Sequence, residues 1–331
     1  MKLAITPWFA LVFAVFAGSS SALAATADAG AVKNYPDRPI RMIVPNAPGS
    51  SVDTLSRIIA GKLSETLGQQ VISDNRAGAG GVIGMEIAKA AIPDGYTLIS
   101  ATTAASTIAV LLQKKPTYDP VNDYDHVVQF AVTPNVLVVN PALPVKSVRE
   151  LIDYCKAKTG QVNMASAGPG SQSHLSGAYF MQAAKFESLH VPYKGGGPSV
   201  AAVIAGESQW TLTPAAAVMS FVHSGRLRAL GHSLPLRSPL LGDIPPIAET
   251  VAGFDYNGWQ GFMVPKGTPK AVIEKLRAAI IKTANLPEVR SLLAAQGTEV
   301  VTGTSLEFRK VVQDSMAKNA MVVKAVGLKL E

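Results

Sequence analysis

Short apolar runs alternate along the chain with helical stripes of apolar residues. The run 40–44 is typical of a buried strand, and it ends at Pro45. Apolar side chains then recur at the i, i+3, i+4 spacing that places them on one face of a helix. These are Leu55, Ile58, Ile59, Leu63 and Leu67. Strands are also predicted from residue 71 and over 96–101, each followed by a helix, the second over about 105–115. This succession predicts an α/β fold with mainly parallel strands.

The succession restarts after residue 134. Further strands are predicted over 161–166, 189–193, 209–213 and 227–232. Ser147 and Glu150 have the spacing of a capping box at the start of a helix, and Thr304 and Glu307 have it before the last helix. Two rounds of the pattern in a chain of 331 residues predict two lobes of similar build.

The N-terminus has the three parts of a secretory signal peptide. Lys2 supplies a positive charge, residues 7–17 form an apolar run, and Ala22, Leu23 and Ala24 make a cleavage site of the A-x-A type. The apolar run is shorter than the ~20 residues that cross a bilayer as a helix. We therefore expect residues 1–24 to be removed and the mature protein to be soluble in the periplasm.

Composition limits the classes of function. Charged residues make up 16% of the chain, below the ~25% of an average domain, and no dense basic run accompanies the net charge of +7. We therefore do not expect a nucleic-acid binder. The single cysteine, Cys155, shares a helical stripe with Val148, Leu151 and Ile152. That stripe predicts a core residue, with a nucleophile or a partner-linking thiol as the alternatives.

The familiar motifs of catalysis and cofactor binding are missing from the sequence. It contains no P-loop, no G-x-S-x-G elbow and no H-E-x-x-H motif, and its five histidines lack metal-ligand spacing. The glycines of 78–84 depart from G-x-G-x-x-G at Ile83, which favours a tight turn over a dinucleotide site. We expect no cofactor and no metal.

A loop of small residues leads from a strand into a helix twice, at 47–51 and at 167–171. Such a helix end carries unpaired N–H groups and a partial positive charge, which bind anions. Ser50, Ser51 or Ser171 would also suit ordinary helix capping. One such loop in each lobe predicts an anion in the crevice between the lobes.

Other candidates lie at the ends of strands. Thr102 and Thr103 follow the third strand and are expected to meet the other end of a ligand. Tyr193 and Thr213 hold equivalent places in the second lobe, although Tyr193 also suits core packing. Arg76 is an alternative anion partner, or a member of a surface ion pair.

Six segments resemble the Bug-type receptors, the extracytoplasmic solute-binding proteins of tripartite tricarboxylate transporters. They follow the family's order from about Tyr35 to the C-terminus, and they read YPDRPIRMIVPNAPGSSVDTLSR, NRAGAGGVIGMEIAKAAIPDGYTL, YDPVNDYDHV, MASAGPGSQSHLSG, HVPYKGGGPSVAAVIAG and WQGFMVPKGTPKAVIEKL. The resemblance implies a two-lobed periplasmic-binding-protein fold of type II-like topology, with the ligand cleft between the lobes. Lobe I would combine residues 33–132 with 233–331, and lobe II would comprise residues 133–232.

The implied function is that of a solute receptor. A monomer would capture a small organic carboxylate and deliver it to the large and small permease subunits of the membrane transporter. The residues that the resemblance assigns to the ligand are Pro48, Gly49, Ser50, Ser51 and Asp53 in the first loop, and Ser166, Ala167, Gly168, Ser171 and His174 in the second. Since two carboxylates repel, we expect Asp53 to accept hydrogen bonds from its own loop, together with Ser50, unless the ligand carries an amino group.

Departures from the family pattern leave the ligand's identity open. The family has A-P-G-G in the first loop, where Ser50 stands here in place of the second glycine. Two other functions also stay open. A sensory receptor would present the bound ligand to a membrane signalling protein, and an exported enzyme would use His174 as its base without any evident nucleophile.

Overall fold

A computed structural model describes residues 34–327 of the chain. The predicted signal peptide lies outside the described residues. The strands are β1 Ile40–Val44, β2 Val71–Asn75, β3 Thr97–Thr102, β4 Tyr124–Thr133, β5 Asn135–Val139, β6 Asn163–Ser166, β7 Leu189–Pro192, β8 Trp210–Pro214, β9 Arg228–His232, β10 Gly258–Pro265 and β11 Glu299–Val300.

Helices of widely different length connect the strands. The α-helices are α1 Ser51–Leu67, α2 Val82–Lys89, α3 Ala109–Leu111, α4 Val148–Ala157, α5 Gln172–Ala184, α6 Gly196–Ala205, α7 Met219–His223, α8 Lys270–Ala284, α9 Pro287–Ala295 and α10 Ser305–Val326. A π-helical turn, Ala104–Ile108, precedes α3, and 3₁₀ turns occupy Ala79–Gly81, Ala215–Ala217, Pro239–Leu241 and Ile247–Glu249. The single helix predicted over 105–115 is therefore wrong in detail. It is a π turn plus one short α-helical turn, and the chain leaves it near Leu112.

The strands form two sheets. The first has the order β11-β4-β10-β3-β1-β2 and the second has the order β7-β6-β8-β5-β9. We call the part of the molecule built on the first sheet lobe I and the part built on the second sheet lobe II. The exact lobe boundaries at residues 132 and 232 stay predictions.

Both sheets are mixed, which corrects the expectation of mainly parallel strands. In lobe I, β1 pairs in parallel with β2 and β3, whereas β10 is antiparallel to β3 and β4. In lobe II, β6 is parallel to β7 and β8, whereas β5 is antiparallel to β8 and β9. Parallel neighbours need a crossover connection, usually a helix. Strand β5 instead enters lobe II directly from β4, and β10 follows the return to lobe I, so both are free to pair antiparallel.

Helices cover both sheets and bury the predicted apolar stripes. Leu55 and Leu63 of α1 pack with Leu276 of α8 in the core of lobe I. Cys155 is fully buried in the core of lobe II, as its helical stripe predicts. The last helix joins the two lobes, because Phe308 lies in a core cluster of lobe I and Val322 lies in that of lobe II.

Among the described residues, no helix combines the length and the hydrophobicity that crossing a membrane requires.

Candidate functional site

The first small-residue loop is closed by the cap of helix α1. Ser50 is the N-cap residue, and its Oγ accepts a hydrogen bond from the N–H of Asp53 at 3.2 Å. The Asp53 carboxylate accepts in return from the N–H of Gly49 at 2.9 Å. Gly49 has a φ of 75°, a conformation that glycine adopts without strain. Asp53 therefore bonds its own loop, which is the arrangement that the sequence predicts for it.

Two further side chains hold Asp53. Arg57, one helical turn later, places its Nε 2.9 Å from Asp53 Oδ1, and Asn75 donates to the same oxygen at 2.9 Å. Asn75 also donates to the carbonyl of Asn46, so it ties the end of β2 to the loop. Burial by itself would raise the pKa of Asp53, but the hydrogen bonds from Arg57, Gly49 and Asn75 bring that pKa below its usual range. The carboxylate is charged and fully engaged at neutral pH.

The second loop repeats this construction with a different side chain. Ser171 caps helix α5 and accepts from the N–H of His174 at 3.2 Å. His174 Nδ1 accepts from the N–H of Gly170 at 3.1 Å, and Gly170 has a φ of 69°. Because Nδ1 is an acceptor here, the neutral ring carries its proton on Nε2.

His174 also stacks on a second imidazole. The ring centroids of His174 and His190 are 3.8 Å apart with an interplanar angle of 7°. His190 Nε2 lies 2.6 Å from the hydroxyl of Ser166, the residue that ends β6. Burial and, secondarily, the neighbouring His190 lower the pKa of His174 to about 4, and burial lowers the pKa of His190. Both rings are therefore neutral at pH 7.

The loops use many of their own N–H groups internally. In the second loop, Ala167 donates to Ser173 Oγ at 2.9 Å and Gly168 donates to Ser166 Oγ at 3.2 Å. The first two N–H groups of each helix remain available, since the described residues supply them with no acceptor. These four groups belong to Ser51 and Val52 of α1 and to Gln172 and Ser173 of α5.

The predicted threonines at the end of β3 have structural partners. Thr102 Oγ1 accepts from the N–H of Ala105 at 3.2 Å, at the start of the π turn. Thr103 Oγ1 accepts from the N–H of Trp259 at 2.8 Å, which fastens β3 to β10. As acceptors, both hydroxyls keep a proton that a ligand oxygen can receive.

The predicted residues Tyr193 and Thr213 of lobe II also have defined places in the structure. The backbone of Tyr193 lies beside the second loop, with its N–H donating to the carbonyl of Ser166 at 2.9 Å. Its hydroxyl lies 3.2 Å from Ser208 Oγ, so the side chain has a partner within lobe II. Thr213 is buried at the end of β8.

In lobe I, Pro48 and Gly49 are exposed at the tip of the first loop.

Two contacts bring lobe II against lobe I near these loops. A Cβ atom on Gly170 would clash with the Leu112 side chain, and Ile108 packs in the core of lobe II. A Cβ atom on Gly258, at the start of β10, would lie 3.5 Å from Gln172 Nε2. The second loop therefore rests on the segment that follows β3.

Arg76 lies apart from this arrangement. Its Nε is 2.9 Å from Asp74 Oδ1, and Arg41 binds the same carboxylate, so Arg76 belongs to a surface ion pair. Residues 46–53 and 166–174 contain no Lys or Arg. Apart from the Asp53 carboxylate, which is already bound, the polar groups of the two loops are hydroxyls, backbone N–H groups and the neutral ring of His174.

An open groove of about 910 Å³ lies elsewhere, along the edge strand β9 and the segment 239–246. None of the predicted site residues lines it. Within residues 34–327, no three His, Cys, Asp or Glu side chains are grouped as metal ligands.

Four residues near the site were not predicted from the sequence. Arg57 was detectable as the i+4 partner of Asp53 on one helix face. Asn75, His190 and Gln172 reach the loops from other elements, and no local spacing indicates them.

Comparison with known proteins gives a consistent set of relatives. A family described as "Tripartite tricarboxylate transporter family receptor" matches residues 55–328. Protein BugT of Bordetella pertussis is 36% identical over 299 residues, which cover 90% of this chain and 92% of that protein. The solved structure of R. palustris Rpa4515 with adipate has a TM-score of 0.84 and 30% identity, over 88% of this chain and 98% of that one. MatC from Rhodopseudomonas palustris with bound malate has a TM-score of 0.79 and 29% identity, over 87% and 100%.

Proposed function

Because the chain belongs to the tripartite tricarboxylate transporter family of receptors, we propose that it is a periplasmic receptor that binds a small organic carboxylate between its two lobes and delivers it to the permease subunits of such a transporter. In this proposal lobe I has the predicted range 33–132 with 233–331, lobe II has 133–232, and the protein works as a monomer after cleavage near Ala24.

The pair of matching helix ends carries the proposal. Helix α1 offers the N–H groups of Ser51 and Val52, and helix α5 offers those of Gln172 and Ser173. Helix N-termini bind anions through such groups and through the helix dipole. Hydrogen bonds to a charged group contribute ~1.5–3 kcal/mol each, so a few neutral donors suffice for micromolar affinity.

A site without Arg or Lys suits a protein that must release its ligand. A buried ion pair is costly to desolvate, and breaking it leaves an uncompensated charge. Two relatives support the ligand class, since R. palustris Rpa4515 has been solved with adipate and MatC with malate.

The experiment is a thermal-melting screen of the mature protein with mono-, di- and tricarboxylates, each paired with its uncharged amide. A ligand at 100 times its dissociation constant stabilises the folded state by about 2.7 kcal/mol. We expect at least one acid to raise the melting temperature and its amide to leave it unchanged. If no acid acts, or if acid and amide act equally, carboxylate recognition by the helix ends is refuted.

A further inference from the structure

Gln172 carries a buried amide that has no hydrogen-bond partner in the part of the chain that the structure describes. It is the first residue of helix α5, directly after the cap Ser171. Neither its Oε1 nor its Nε2 is exposed, and neither has a hydrogen-bond partner within residues 34–327. A primary amide offers two donors and one acceptor, and buried polar groups of this kind are nearly always paired.

The amide lies where the start of helix α5 in lobe II meets the start of strand β10 in lobe I. The Cβ position of Gly258 is 3.5 Å from Gln172 Nε2 and 2.5 Å from Thr133 Oγ1. Thr133 ends β4, from which the chain passes into lobe II, and Trp259, next to Gly258, is bound by Thr103. Gln172 thus projects from the second loop toward the end of β3, where the proposed ligand would lie.

The donor and acceptor atoms of the Gln172 amide restrict which ligand groups can form hydrogen bonds with both of them. A carboxylate oxygen only accepts hydrogen bonds, so it pairs with Nε2 and leaves Oε1 without a donor. A hydroxyl or an ammonium group on the carbon beside the carboxylate supplies that donor. The loops favour the hydroxyl, because their single acidic residue, Asp53, is already bound by Arg57, Asn75 and Gly49. No free carboxylate of these loops remains to balance an ammonium.

We propose that Gln172 is a specificity-determining residue that selects 2-hydroxycarboxylates, with Nε2 donating to the ligand carboxylate and Oε1 accepting from the adjacent hydroxyl. This inference rests on the proposed function, since it names the carboxylates that the same site takes.

The test is calorimetry with three matched pairs that differ in one hydroxyl: lactate and propionate, malate and succinate, 2-hydroxyglutarate and glutarate. For at least one pair we expect the hydroxy acid to bind the wild-type protein at least tenfold more tightly. In Gln172→Met, which keeps the side-chain length and removes both polar atoms, that ratio should fall to within about twofold. Gln182→Met is the matched control, because Gln182 is exposed on the same helix, and it should leave the ratio unchanged. Aspartate tests the ammonium alternative against malate and succinate.

Thermal melting without ligand separates this role from a structural one. An unpaired buried amide costs stability, and functional sites often keep such groups. Gln172→Met should therefore melt at the same temperature as the wild type or at a higher one. A clear drop would show that the amide serves the fold.

The remaining outcomes contradict either the role of Gln172 or the proposed function. Equal affinity within every pair, tighter binding of aspartate than of malate, or a hydroxyl preference that survives Gln172→Met contradicts the role of Gln172. Binding of only unsubstituted acids, such as adipate, does the same and leaves the proposed function standing. If no carboxylate of any kind binds, the proposed function fails and the inference fails with it.

Discussion

Asp53 and His174 hold the same position in the two lobes. Each lies three residues after the serine that caps its helix, and each accepts a hydrogen bond from the N–H of the glycine before that serine. The distances are 2.9 Å from Gly49 to Asp53 and 3.1 Å from Gly170 to His174. One lobe uses a charged carboxylate and the other a neutral imidazole for the same task, so the two loops should respond differently to mutation and to pH.

Replacing Asp53 with Asn should destabilise the protein by about 2 kcal/mol, because the buried carboxylate holds hydrogen bonds from Gly49, Arg57 and Asn75. The control is Asp314→Asn, which removes an exposed pair with Lys310 at the same i, i+4 spacing and should cost below about 0.5 kcal/mol. Urea unfolding of both variants measures the difference. Similar losses in the two variants would mean that Asp53 does not organise the loop.

Removing either helix cap should weaken ligand binding. Ser50→Ala and Ser171→Ala each lose a cap that contributes about 1 kcal/mol, which corresponds to about a fivefold loss of affinity if the loop geometry is transmitted to the ligand. Arg76→Ala should bind normally, because Arg76 is engaged with Asp74. Cys155→Ala should lower stability and leave affinity unchanged. Calorimetry measures the affinity of the four variants. Loss of binding in Arg76→Ala alone would mean that a salt bridge to Arg76, and not the two helix ends, holds the ligand anion.

Substituting Gly170 should impair the contact between the lobes. A Cβ atom there would clash with Leu112, and the φ of 69° adds strain. Gly160→Ala is the control for strain alone, since Gly160 has a φ of 76° with open space around it, and it should cost ~1–2 kcal/mol. We expect Gly170→Ala to lower the free energy of unfolding more than this control does. Adding Leu112→Ala to Gly170→Ala should restore part of that loss, because it removes the side chain with which the Cβ atom clashes. Equal costs for the two glycine variants would rule out a steric role for Leu112.

Stability should decline in mild acid through His174. Its pKa is lowered from 6.5 to about 4 in the folded protein, chiefly by burial. Between these values the unfolded chain binds a proton that the folded protein does not, so the free energy of unfolding falls as the pH drops from 6.5 to 4, by about 3 kcal/mol. Above pH 6.5 His174 is neutral in both the folded and the unfolded chain, so its titration no longer changes the free energy of unfolding.

The variant His174→Asn keeps an acceptor for Gly170 and removes the titration, so its stability should vary less over this pH range. The exposed His223→Asn serves as the control and should follow the wild type. Chemical unfolding at pH 4, 5, 6 and 7 provides the measurement. An unchanged slope in His174→Asn would assign the acid sensitivity to other groups.

Local spacing was enough to predict the helix starts and the loops beside them. Thr304 and Glu307 form the predicted capping box with both of its hydrogen bonds, and Ser147 accepts from the N–H of Glu150. The two helix ends at Ser50 and Ser171 were also predicted, because a cap depends on residues within one helical turn. The family match then agrees with the resemblance that six sequence segments carry.

Contacts between distant parts of the chain were beyond that reach. The antiparallel pairing of β10 with β3 joins residues about 160 positions apart, and the mainly parallel sheets expected from strand–helix alternation were wrong for this reason. The stacking of His174 on His190 and the anchoring of Asp53 by Asn75 likewise join separate elements.

The sequence by itself determined the α/β class, the two capped loops and the family, because periodicity and capping depend on neighbouring residues. Only the tertiary structure decided how the strands pair and which side chains surround the loops. It placed the amide of Gln172 between the lobes and engaged Arg76 with Asp74, because packing sets those distances and no local spacing encodes them.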